Sequence, residues 1–209
     1  MKMGTLSIIA FVLVLIIILR LSFRKKLDFP DYSGQLFADN SGINDIMPES
    51  MFWKIIHDTG QNSSRTYGVQ CQLLTDTLRK LPEEEIIRFD RTLNALMSKS
   101  YNHRLWEAVY ALNGGCSDDC FEYFRSWLIG QGRNKFYWTI KYPRLLFLIG
   151  VKEIIENYEG LAYCTFEAYQ SKLGKELPGC NDISYEDGGK MFNESLSILR
   201  YPELVLLAW

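Results

Sequence analysis

No stretch of this sequence alternates apolar and polar residues over the length of a β-strand, and no segment repeats or is compositionally biased. A half-buried strand shows that period of two, so its absence predicts an all-α fold. Histidine is scarce: His57 and His103 stand far apart with no HxxxH spacing, which argues against a helical zinc site. No Gly-x-Ser-x-Gly elbow is present, so the commonest serine-hydrolase signature is missing. Positive charge is not in excess, with Lys+Arg at 23 against Asp+Glu at 25. A nucleic-acid binder shows a basic face, so no nucleic-acid partner is expected. The five cysteines, Cys71, Cys116, Cys120, Cys164 and Cys180, are odd in number, so no disulfide framework is expected. They fit free thiols in a reducing compartment. The Cys116/Cys120 pair has CxxxC spacing, whereas zinc sites favour CxxC with a second pair. No metal or other cofactor is expected.

What the sequence does have begins at its start. Residues Leu6 to Leu19 are apolar apart from Ser7, and Met3 to Phe23 carry one charge, Arg20. As a helix, 21 residues span roughly 30 Å, one hydrocarbon core. The flank that follows, with Arg24, Lys25 and Lys26, lacks the small-residue site of a cleaved signal peptide. A single N-terminal transmembrane anchor over residues 1–26 is therefore expected. The basic flank predicts the N-terminus outside and the domain in the cytoplasm, with those cations against anionic headgroups. Residues 27–47, with Pro30, Gly34 and Gly42, read as a linker.

Residues 48–209 read as one compact multi-helix bundle. Helices are expected over Glu49 to His57, Tyr67 to Leu81, and from Pro82, at the first helical position, to about Ser98. A polar loop is expected at 61–65. The next helix covers 103–112 and stops at Asn113-Gly114-Gly115. Ser117 is placed to cap the following helix, with Asp118 and Asp119 in its first turn and Phe121, Phe124, Trp127 and Leu128 facing inward. Phe136 to Ile140 and Leu145 to Ile149 look helical or turn-like around Pro143. Gly160 to Leu173 is a further helix, with Leu161, Cys164, Ala168 and Leu173 inward. Pro178 to Gly189 is loop-rich. Lys190 to Leu199 is expected as the last helix, with Leu204 to Trp209 an apolar tail.

The middle of the chain carries a resemblance. The run Phe89-Asp90, then Leu105-Trp106-Glu107-Ala108, Asn113-Gly114-Gly115-Cys116-Ser117-Asp118-Asp119, Phe121, Tyr123-Phe124-Arg125, Trp127-Leu128-Ile129 and Gln131-Gly132-Arg133 resembles the bacterial family known as domain of unknown function 4240. The Phe52-Trp53 opening is similar to that family's start, and the likeness covers roughly residues 50 to 180. Cys120 stands where the family usually carries Gly. The resemblance implies a helical cytoplasmic domain and assigns no catalytic residue, cofactor or partner.

One region invites a functional reading. Trp106 and Tyr110 precede the Gly114-Gly115 turn, and Asp118, Asp119, Glu122 and Arg125 follow it. Folded as a hairpin, they would rim one groove. Paired carboxylates there can hold a cationic group or a divalent ion, and Arg125 can take a carboxylate or phosphate in a fork. The structural alternative is that Asp118 and Asp119 only stabilise their helix, while Arg125 locks the hairpin by pairing with them or with a carboxylate of a neighbouring helix. A membrane-tethered module that binds a protein or ligand is the favoured function. A hydrolase or transferase using the Asp118/Asp119 turn with Arg125, with or without the help of a metal ion, is the alternative.

Overall fold

The computed structural model describes residues 45–64, 66–149, 160–180 and 188–208. The expected anchor over 1–26 and most of the linker over 27–47 lie outside them. No helix among the described residues is long and apolar enough to cross a membrane. Those residues form ten α-helices and one 3-10 turn, with no strand: α1 Glu49–Asn62, α2 Tyr67–Arg79, α3 Glu83–Lys99, α4 His103–Asn113, α5 Asp118–Gly130, α6 Arg133–Lys141, the turn Pro143–Leu145, α7 Leu146–Ile149, α8 Gly160–Leu173, α9 Glu194–Arg200 and α10 Pro202–Ala208. The described residues are all-α, as the periodicities predict.

The core is built from the apolar stripes of the longer helices. Phe52, Trp53 and Ile56 of α1 meet Phe89, Leu93 and Leu96 of α3, Leu105 and Val109 of α4, and Phe121, Phe124 and Leu128 of α5. Phe52 stacks on Phe89 at 4.6 Å between ring centroids. Rings of this size bury large areas, which lets a domain this small exclude water with few elements. α2 and α8 pack along much of their length. Tyr67 is wedged between two glycines there: a Cβ at Gly130 would lie 3.0 Å from its ring, and one at Gly160 would lie 2.5 Å from its hydroxyl.

Several boundaries differ from the sequence reading. α1 runs through Gly60 to Asn62 because Gly60 is packed on the Gln70 side chain, whose amide donates to the Ile56 and Gly130 carbonyls. Pro82 caps α3 rather than opening it. The single C-terminal helix expected from Lys190 starts at Glu194, where the Asn193 side chain accepts from the Ser195 amide, and ends at Arg200. The apolar tail is a separate helix, α10, opened by Pro202. Leu173 is half-exposed, while Leu161, Cys164 and Ala168 face inward as predicted.

The cysteines need a correction. Cys116 and Cys120 are joined in a disulfide, where free thiols are predicted; the chain's entry into α5, from just before the Ser117 cap to the first turn, brings their Cα atoms to 5.3 Å, within bridging range. Cys71, Cys164 and Cys180 are thiols that form no disulfide.

Candidate functional site

The α4–α5 hairpin is set by local rules. The Asn102 side chain accepts from the Arg104 and Leu105 amides and starts α4. Gly114, at φ +71°, ends it, and the Gly115 amide donates back to the Tyr110 carbonyl. The Ser117 hydroxyl accepts from the Cys120 amide and starts α5, leaving Asp118 and Asp119 in the first turn. The turn is held to α4 by the Trp106 indole, which donates to the Cys116 carbonyl over 3.0 Å.

Within this frame the six predicted residues separate into two sets. Asp118, Asp119 and Glu122 are exposed. Trp106 and Arg125 are buried. Of the partners expected for Arg125, neither Asp118 nor Asp119, both exposed, is joined to it by an ion pair. Its Nη1 instead donates to the Met97 carbonyl over 2.6 Å, and its guanidinium lies over the Tyr101 and Phe121 rings at 5.2 and 5.1 Å. Met97 is in the last turn of α3, where carbonyls lack intrahelical donors and a cation is favoured by the dipole. Its carbonyl also accepts from the Ser100 hydroxyl. Arg125 therefore ties α5 to the end of α3.

Tyr110 lies between the two sets. It is half-buried, and its hydroxyl donates to Glu194 over 3.0 Å, linking α4 to α9. That hydrogen bond to a carboxylate raises the Tyr110 pKa. An aromatic edge runs alongside. Trp106 stacks on Phe121 at 4.9 Å and on His103 at 5.9 Å, and Phe192 meets both Trp106 and Tyr110 edge-on. His103 Nδ1 is buried with no hydrogen-bond partner among the described residues.

Sequence reasoning missed Tyr101, His103, Phe192 and Glu194. Tyr101 and His103 flank the Asn102 cap, a local signal that could have placed them beside Trp106. Phe192 and Glu194 arrive from a distant segment, and no spacing in the chain encodes that approach.

Two further polar clusters are internal. Asp90 accepts from Thr165 over 2.6 Å, from Asn94 over 2.9 Å and from Cys180 over 3.3 Å. Burial raises its carboxyl above the ordinary range, against the pull of these donors. Glu107, almost wholly buried, accepts from Arg200 over 2.8 Å through Oε2, while its Oε1 has no partner among the described residues. No group of three His, Cys, Asp or Glu side chains among the described residues converges to hold a metal ion.

The family description "Protein of unknown function (DUF4240)" matches over residues 47–171, more than half of the chain, and the chain belongs to that family. No curated protein and no solved structure matches it.

Proposed function

For this member of a family whose description assigns no activity, we propose a binding module tethered to the cytoplasmic face of a membrane by residues 1–26. The partner is a protein segment carrying cationic and apolar side chains. The observation that supports this is the division of the hairpin. Asp118, Asp119 and Glu122 face solvent with no ion-pair partner among the described residues, and the half-buried Tyr110 and Phe192 lie on the same part of the fold. Acidic groups at a rim steer and select cations, and aromatic side chains supply contact area.

The enzyme reading needs the Asp118/Asp119 turn and Arg125 on one point. Arg125 is committed to the Met97 carbonyl inside the bundle, and the two aspartates point to water, which favours binding over catalysis.

The test is a pull-down of the full chain from native membranes, wild type against Asp118→Asn/Asp119→Asn/Glu122→Gln. Loss of a captured protein from the variant supports the reading. Equal capture by a folded variant contradicts it. A reporter fused after Trp209 that works only in the cytoplasm tests the topology, and a silent reporter on expressed protein overturns it.

A further inference from the structure

We propose that α9 and the neighbouring turn at residues 141–144 form a second contact with an anionic lipid surface. This rests on the tethered reading, which brings the domain to a bilayer. α9 touches the body through the buried Ser197, the Arg200–Glu107 pair, the Glu194–Tyr110 hydrogen bond and the Arg200 carbonyl, which accepts from Arg144. The rest of the helix stands clear. Leu199 is 75% exposed and Met191, just ahead of it, 65%, with Leu196 and Ile198 also exposed. Four large aliphatic side chains turned to water within nine residues mark an interaction surface rather than a scattered surface residue.

The neighbouring groups point to lipid. Arg144 joins the 141–144 turn to α9 by donating to the Arg200 carbonyl over 2.7 Å. In that turn Tyr142 is exposed, stacks on Trp138 at 5.0 Å, and has Lys141 Nζ 5.3 Å from its ring centre. Carboxylates here are already engaged: Glu203 by Arg144, Glu107 by Arg200, and Glu194 by Tyr110. Lys141, Lys190 and Arg104 are exposed, and none has a carboxylate at ion-pair distance among the described residues. Aliphatic anchors, a Trp–Tyr pair and uncompensated cations are the chemistry of an interfacial contact with anionic headgroups. A second copy of this chain fits less well, because it would bring the same cations face to face. The 21 residues of the linker reach about 70 Å when extended, enough to lay this face on the bilayer.

A photoreactive p-benzoylphenylalanine at Leu199, in the full chain mixed with vesicles of phosphatidylcholine and phosphatidylglycerol, tests the contact. The same residue at the exposed Tyr163 of α8 is the control. Lipid adducts at position 199 and not at 163 are expected. Lys141→Gln and Lys190→Gln should each lower the yield by up to about fivefold. A chain that pellets with vesicles but carries no lipid at 199 overturns this contact alone. A chain that neither pellets nor carries lipid overturns both the contact and the tether. Adducts at 199 to a second copy or to the chain's own residues 6–19, or equal lipid yields at both positions, also overturn it.

Discussion

Arg125 and Met97 meet inside the bundle, guanidinium to carbonyl at 2.6 Å, and this contact ties α5 to the end of α3. A buried cation is costly unless hydrogen-bonded, and here it also sits over two aromatic faces. Lysine lacks the planar group that stacks and donates at once. Arg125→Lys and Arg125→Met are each expected to cost about 2 kcal/mol or more in urea unfolding. A loss of partner capture with stability unchanged would instead make Arg125 part of the binding surface.

Tyr67 and Gly160 interlock more tightly. The Tyr67 hydroxyl accepts from the Leu161 amide over 3.0 Å, and Gly160 is at φ +41° with no room for a Cβ beside that hydroxyl. Gly160→Ala is expected to cost about 3 kcal/mol or more, from backbone strain and displacement of the ring. In a Tyr67→Ala background the steric part disappears, so the penalty should fall by at least about 1 kcal/mol. Equal penalties in both backgrounds would show that the ring is not the obstacle.

Asp90 should leave a mark on the pH dependence of stability. Its folded carboxyl is raised by burial, so the fold prefers the protonated form. That contribution is fully present below the unfolded value of about 3.9 and is lost as pH rises through the raised folded value. As pH rises above about 4, wild type should therefore lose stability relative to Asp90→Asn, read as the difference between their urea midpoints. An offset that stays constant as pH rises would contradict the assignment.

The Glu107–Arg200 pair joins a buried carboxylate to a guanidinium that is 55% exposed in its side chain. Arg200→Ala leaves Glu107 buried without its cation. The cost should be about 2 kcal/mol, below that of a fully buried pair because water screens the arginine. Glu107→Gln/Arg200→Ala should recover part of it. Amide exchange in α9 should quicken in the single variant, and unchanged exchange would show that the pair does not hold the C-terminal arm.

Much of the fold was legible because its determinants are local. The Asn113-Gly114-Gly115 stop, the Ser117 cap and the stripe Phe121, Phe124, Trp127 and Leu128 lie where the sequence places them. The region of the candidate site was legible for the same reason, since turn and cap residues mark a hairpin. The direction of Arg125 was not, because an arginine one turn beyond two aspartates reads as their partner. Arg125 reaches a backbone carbonyl on α3, a contact that no side-chain pattern reports. The Cys116–Cys120 bridge was missed because an odd, unpatterned set of cysteines argues against pairing, whereas the turn of chain that leads into α5 brings this pair within range. The helix expected to His57 continues to Asn62, because the Gln70 side chain packed against Gly60 keeps that glycine inside α1.

The central claim is that Asp118, Asp119 and Glu122 recognise a cationic segment. Binding of the full chain to peptides of matched apolar content, one set Lys/Arg-rich and one Asp/Glu-rich, tests it most directly. The account predicts capture of the basic set alone, weakening as salt rises, and its loss in Asp118→Asn/Asp119→Asn/Glu122→Gln with stability lowered by no more than about 1 kcal/mol per aspartate. Indifference to peptide charge, or undiminished binding by that variant, would contradict it.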